Sequence, residues 1–173
     1  MSLVKATEME RIDHCAFQPT KAEEIDKTLE GMWRSGTGSR EGRLCVLRSA
    51  DRVHVDALRR FAKRVSRRPV QHSSDAIYRP IVVVRTDAHS TSKSVLRTAA
   101  KALDTLHHPS MSVAETCAMV RAAAEQQQTR IIVFDNLPDN FGGQFLTDAL
   151  RRLRKGGLQI VCILRETAGN QHQ

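Results

Sequence analysis

The sequence predicts an α/β protein, with a parallel sheet of about four to five strands, helices on both faces and an N-terminal helical arm. Short apolar runs alternate with longer amphipathic segments, an order typical of the βαβ units of a parallel sheet. The apolar runs are uninterrupted and rich in Val, Ile and Leu, which indicates strands that are covered on both faces. The chain has 173 residues, 40% of them apolar, so one domain with a sizeable core is expected.

The N-terminal arm is predicted over residues 1–42 and contains one helix. Thr20 and Glu23 have the spacing of a capping box at the start of this helix. The apolar residues that follow fall on one helical face: Ile25, Leu29, Met32 and Trp33. The helix is expected to end in a flexible loop that contains Gly36 and Gly38. These glycines do not predict a phosphate loop, because no strand precedes them.

The α/β core is predicted over residues 43–165, and a polar tail follows at residues 166–173. The predicted strands are the apolar runs at residues 44–47, 81–84, 131–134 and 160–164. The predicted helices have one apolar face each and lie at about residues 55–67, 92–106, 112–126 and 145–153. Leu106 is expected in the buried stripe of the second of these helices. The cysteines form no CxxC pair and are predicted to be buried reduced thiols, without a disulfide or metal role: Cys15, Cys45, Cys117 and Cys162.

Positive charge is concentrated in one internal third of the chain. Residues 43–101 carry 14 Lys and Arg against four Asp and Glu, whereas the whole chain has a net charge of +8. Two predicted helix faces carry most of these cations: Arg59, Arg60, Lys63, Arg64, Arg67 and Arg68 on one, and Lys93, Arg97 and Lys101 on the other. The asymmetry predicts an anionic partner, and nucleic acid is favoured over membrane because no apolar face has bulky aromatic anchors. The alternative is a solvated basic surface.

The carboxyl ends of the strands are where a parallel sheet binds ligands. Asp135 directly follows an apolar strand, where a carboxylate can hold a hydrated Mg²⁺ against a nucleotide or can simply end the strand in a turn. A phosphate cradle would need glycines after the first strand, but residues 48–55 contain none. Val53, His54 and Val55 stand where Gly-Lys-Ser/Thr would be.

Three segments resemble the TniB-type AAA+ proteins, which are ATPase-like regulators of bacterial DNA transposition. They are residues 43–61, residues 78–84 with the following helix at 92–106, and the strand at residues 129–137, which ends in Phe134-Asp135-Asn136-Leu137. The resemblance covers residues 20–164 in order and spacing. It implies a P-loop, AAA+-like fold, ATP-dependent assembly on DNA, and contacts with a transposase or with target-selection subunits.

The departures from this family point away from hydrolysis. The phosphate-loop residues are absent, and Asn136 stands where the family has the glutamate that activates water, a role that an amide cannot perform. The fourth strand ends in Arg165-Glu166-Thr167 without a clear sensor residue, and the family's helical lid is expected to be missing.

Three functions are therefore considered. The first is a catalytically inactive AAA+-like adaptor, without a cofactor, that binds DNA or another nucleic acid and protein partners in DNA transposition or target selection. The second is a divergent P-loop ATPase that binds ATP and Mg²⁺. The nucleotide-binding residues would then be Arg48, Arg52, His54, Asp135 and Asn136.

The third function is a homo-oligomeric interaction module that does not bind DNA. Its candidate surfaces are the N-terminal arm, the loop at residues 141–143, and a basic helix end expected to be exposed: Arg151, Arg152, Arg154 and Lys155. With no transmembrane run and no signal peptide in the sequence, a cytoplasmic protein is expected, associated with the nucleoid if it binds DNA.

Overall fold

The computed structural model describes residues 22–35, 41–49, 53–67, 77–87, 90–138 and 144–165. The predicted polar tail, Cys15, Arg52, Arg68 and the loop at residues 141–143 lie outside these ranges. The described elements are α1 (Ala22–Ser35), β1 (Leu44–Ser49), α2 (Val53–Ser66), β2 (Ile81–Arg85), α3 (Ser92–Ala102), α4 (Val113–Gln126), β3 (Ile131–Pro138), α5 (Gln144–Arg154) and β4 (Gln159–Arg165).

The predicted fold class is confirmed, because the four described strands form one all-parallel sheet in the order β1-β4-β3-β2. From β1 at one edge the chain crosses to β2 at the other edge, and then returns through β3 and β4. Crossovers between parallel strands are right-handed. The crossover from β1 to β2 therefore lies on one face of the sheet, and the crossovers from β2 to β3 and from β3 to β4, which run in the opposite direction, lie on the other. This places α2 on one face of the sheet and α3, α4 and α5 on the other.

Two apolar cores result, one on each face of the sheet. Ile132 and Phe134 face the core that α3, α4 and α5 cover, whereas Ile131 and Val133 face the core that α1 and α2 cover. All four side chains are fully buried. The uninterrupted apolar sequence of β3 is thus explained, since a strand covered on both faces has no solvent-facing positions.

The helix of the predicted N-terminal arm packs into the sheet's second core. Its predicted apolar face is buried there: Ile25, Leu29, Met32 and Trp33. The Trp33 ring meets the Phe61 ring of α2 edge-on, with centroids 6.3 Å apart, a favourable aromatic geometry. Helix α1 therefore completes the layer that α2 begins.

The ends of most predicted elements differ from the structure by one or two residues, and two of them differ by more. Strand β3 continues to Pro138, with a register shift between Phe134 and Leu137, so Asp135 and Asn136 lie within the strand and not after it. Helix α3 ends at Ala102, and Leu106, expected in its buried stripe, is 93% exposed. The helix stops because Asp104 has a left-handed backbone, with φ of 51°, and the amides of Asp104 and Thr105 donate back to the carbonyls of Lys101 and Ala100, which closes the helix end.

The predicted state of the cysteines is confirmed for Cys45, Cys117 and Cys162, which are free and buried. Burial raises the pKa of the Cys117 thiol to about 11 and that of Cys162 to about 12. Because the thiolate is the reactive form, we expect a Cys15→Ser variant to react only slowly with iodoacetamide at pH 8. Guanidinium should expose all three thiols to rapid alkylation, and mass spectrometry counts them. Rapid alkylation of the folded variant would contradict this burial.

Candidate functional site

Two predicted site residues meet at the carboxyl end of the sheet. His54 lies in the first turn of α2, and Asp135 lies in β3, on the far side of β4. His54 Nε2 is 2.8 Å from Asp135 Oδ1, and the two side chains are 13% and 8% exposed. An ionised carboxylate can only accept a hydrogen bond, so Nε2–H of His54 is the donor when Asp135 is ionised. In the sequence analysis, His54 stands where a phosphate loop would have its lysine, and Asp135 stands where a carboxylate could hold Mg²⁺. The hydrogen bond joins these two positions.

Asn136 joins the bulge of β3 to the end of β2. Its backbone is left-handed, with φ of 68°, and its side-chain amide donates to the carbonyl of Thr86 at 3.0 Å. In return, the amide and hydroxyl of Thr86 both donate to the carbonyl of Asp135, at 3.0 and 2.9 Å. Asn136 therefore has a structural role here. Thr86 was not singled out by sequence reasoning, because its spacing from β3 gives no signal.

Asp135 and Asn136 both make hydrogen bonds within the chain in this arrangement. Asp135 Oδ1 accepts the hydrogen bond from His54, and the side chain of Asn136 is bonded to Thr86. Arg48 is half-buried at the end of β1, whereas Arg52 lies outside the described residues. In the described part of the chain, no group of three or more His, Cys, Asp or Glu is placed to hold a metal ion.

The predicted basic faces are exposed on α2 and α3, with one correction. Six cations are exposed and form no ion pair within the described ranges: Arg60, Lys63, Arg67, Lys93, Arg97 and Lys101. Arg59 is exposed beside Asp56, with 3.9 Å between the charged groups. Arg64 is not an unpaired surface cation as expected, because it pairs with Glu30 of α1 at 3.2 Å and lies over the Phe61 ring. It holds α1 against α2.

The basic end of α5 also needs a correction. Arg151, Arg152 and Lys155 are exposed, as predicted. Arg154 is only 8% exposed, and its guanidinium donates to Glu41 at 2.6 Å. The acid that pairs with Arg154 comes from more than a hundred residues earlier in the chain, so helical periodicity could not reveal it.

A groove follows β2, the strand at the edge of the sheet. It is an open groove of about 660 Å³ that is lined by residues of α2, β2 and α3. Three cations from three elements line it: Arg59, Arg85 and Lys101. The rest of the described lining is mainly apolar and includes Val55, Leu58, Ala62 and Val83, with Asp135 at one end. Sequence reasoning missed Arg85, because the apolar run before it predicted a strand covered on both faces.

No protein-family model matches the chain, and no curated protein matches it significantly. Within the described residues, no helix is both long and apolar enough to cross a membrane. The likeness to the TniB-type proteins stays a prediction from the sequence.

Proposed function

We propose that this chain is a non-hydrolysing, AAA+-like adaptor that binds nucleic acid through its basic groove and the helix faces beside it. The observation that carries the proposal is the convergence of Arg59, Arg85 and Lys101, from α2, β2 and α3, on one groove. Cations so placed neutralise phosphates and release counterions, which supplies affinity without sequence selection. The resemblance adds the setting, which is DNA transposition or target selection with a transposase or target-selection protein as partner.

The contact between His54 and Asp135 supports a function without nucleotide hydrolysis. A hydrolytic site needs Asp135 to face a hydrated metal ion and needs a base beside it. Instead, Asp135 accepts from His54 at 2.8 Å, and the neighbouring Asn136 amide is bonded to Thr86. The sheet then serves as a rigid support for the basic surface.

We expect the full chain to bind nucleic acid with an affinity that falls linearly, on logarithmic axes, as the salt concentration rises. Reversing Arg60, Lys63 and Arg67 to Glu should weaken binding at least about tenfold and reduce the salt slope by roughly two to three. Fluorescence anisotropy across a salt series measures both quantities. Arg64 is left unchanged, because its ion pair with Glu30 is structural.

The matched control reverses the charge of three exposed cations at the C-terminal end of α5, namely Arg151, Arg152 and Lys155. This variant has the same change in net charge but leaves the groove intact, so its affinity should change much less. Binding without salt dependence, or equal losses in the two triple variants, would refute the proposed surface.

A second candidate, the divergent ATPase, rests on the position of His54 and Asp135 at the carboxyl end of the sheet, where parallel sheets bind ligands. Calorimetric titration with ATP and Mg²⁺ discriminates the two functions. The adaptor predicts no micromolar binding. Micromolar binding that is lost in Asp135→Ala would establish the nucleotide site instead.

A third candidate is the homo-oligomeric interaction module, in which the chain assembles with copies of itself and does not bind DNA. Its surfaces include the basic end of α5, where Arg151 and Arg152 are exposed, and the loop at residues 141–143, which lies outside the described residues. Light scattering with and without DNA separates a module that assembles alone from an adaptor that requires nucleic acid.

A further inference from the structure

We infer that the nucleic acid bound here is a single strand, which passes from the α2 face, over the β2 edge of the sheet, to the α3 face. This inference rests on the proposed function and names the class of nucleic acid. It follows from where the two basic helices lie relative to the sheet and from what connects them.

The two basic helix faces lie on opposite sides of the sheet. Leu58 and Phe61 of α2 belong to one core, whereas Val95 and Leu96 of α3 belong to the other. Each helix has a diameter of about 10–12 Å with its side chains, and the sheet lies between them. The outward cations of α2 and α3 therefore point away from each other across three layers.

The groove along β2 connects these two faces. Arg59 belongs to α2, Lys101 belongs to α3, and Arg85 lies between them at the end of the edge strand. Val83 is 37% exposed, so the floor of the groove is open to a ligand. The cations of the two helices and of the strand thus form a positive path around the edge of the sheet.

Acids also lie beside this path among the described residues. Asp56 lies next to Arg59, Asp135 accepts from His54 at one end of the groove, and Asp87 is exposed beyond β2. The segment Ser92–Ala102 that forms α3 contains no acid. Among the described residues, the cations of this path thus outnumber these acids, and a net positive charge is complementary to a chain of phosphates.

A flexible strand can follow this path, whereas a duplex cannot do so without strong bending. Duplex DNA has a persistence length of about 150 base pairs, so turning it around one edge of a small domain carries a large deformation penalty. The groove volume of about 660 Å³ is within the size range of small-ligand pockets, roughly 300–1,000 Å³. It suits a few nucleotides of a single strand.

The groove has no aromatic residue among its described lining residues. Base stacking on aromatic rings is a main source of affinity in many single-strand binders. Here the contacts are to phosphates and to a small apolar floor, so base composition should matter little.

The test compares labelled 24-nucleotide dT and mixed-sequence strands with a 24-base-pair duplex, all at one salt concentration and with the full chain. We expect both single strands to bind with similar affinity and at least about tenfold more tightly than the duplex. Three variants then probe the path: Arg60→Glu with Lys63→Glu, Lys93→Glu with Arg97→Glu, and Arg85→Glu. Each should weaken the binding of the 24-nucleotide strand several-fold.

A 6-nucleotide strand is the matched short probe, because it is too short to reach both helices. Its affinity should fall with Arg85→Glu and with at most one of the two double substitutions, the one on α2 or the one on α3. Circular dichroism and thermal unfolding check that each variant folds, and glutamine replaces glutamate in any variant that does not.

The outcomes separate the two proposals. Duplex binding that equals or exceeds single-strand binding, or a 24-nucleotide strand that responds to only one helix pair, overturns the single-strand path and leaves the proposed function standing. No salt-dependent binding to any of the nucleic acids overturns the proposed function itself.

Discussion

Replacing Gly42 by Ala is expected to destabilise the fold by roughly 3 kcal/mol or more. Gly42 is buried, and a Cβ atom on it would lie 1.8 Å from the carbonyl oxygen and 2.4 Å from the carbonyl carbon of Leu158. Such distances are far inside van der Waals contact, and the opposing atoms are backbone. A side-chain rotation therefore cannot relieve the clash.

The backbone around this contact has little freedom to move. The Gly42 amide donates to the carbonyl of Arg154 at 2.8 Å, and the Ile160 amide donates to the carbonyl of Arg43 at 2.9 Å. The Arg43 amide in turn donates to the side chain of the buried Gln159 at 2.9 Å. Moving β1 away from β4 to accommodate a methyl group would lengthen these bonds.

Gly31 provides the matched control for this substitution. A Cβ atom on Gly31 would meet nothing within 4 Å, and the residue is exposed in the helix Ala22–Ser35. Gly31→Ala should stabilise the protein by about 0.5–1 kcal/mol, because alanine has the higher helix propensity. Urea unfolding of both variants measures the two effects. A Gly42→Ala variant as stable as the parent would contradict the close approach of β1 to β4.

Replacing His54 by Ala is expected to lower the free energy of unfolding by about 3 kcal/mol. The substitution leaves the carboxylate of Asp135, which is 8% exposed, without its imidazole donor in a site that water reaches poorly. A buried charge without a partner is more destabilising than the loss of both partners together. The double variant His54→Ala/Asp135→Ala should therefore be less destabilised than the sum of the single variants.

A double-mutant cycle in urea measures the coupling between the two side chains, which we expect to exceed about 1 kcal/mol. Asp135→Asn is the conservative variant, since it keeps an acceptor oxygen but removes the charge, and it should destabilise less than His54→Ala. Additive single effects would show that the 2.8 Å bond contributes little and that His54 and Asp135 act independently.

The fold class was predictable because it depends on local patterns. Each predicted apolar run lies inside an observed strand, and the helix predicted over residues 112–126 is observed as α4, with a capping box of Ser112 and Glu115 at its start. The left-handed Gly156 likewise follows the end of α5. Apolar periodicity and helix caps involve residues close in the sequence, so a single chain reveals them.

The candidate site was only partly predictable, because it depends on strand order. His54 and Asp135 were singled out separately, but their contact requires β1 and β3 to flank β4. The exposure of Arg85 arises because the helices leave one face of β2 partly uncovered, which the sequence of β2 does not reveal. Arg64 sits on a predicted basic face, yet its role follows from Glu30 on a helix more than 30 residues earlier.

The strand order also constrains how the molecule can be made. Strand β4 lies between β1 and β3 and pairs with both, but it is the last of the described strands to leave a ribosome. Until Gln159–Arg165 has emerged, β1 has no neighbour within the described sheet, and its unpaired backbone remains open to the wrong partner. Before β4 emerges, the described strands can form only the pair of β2 and β3, with β1 apart from it. Strand β4 then joins β1 to that pair and completes the sheet.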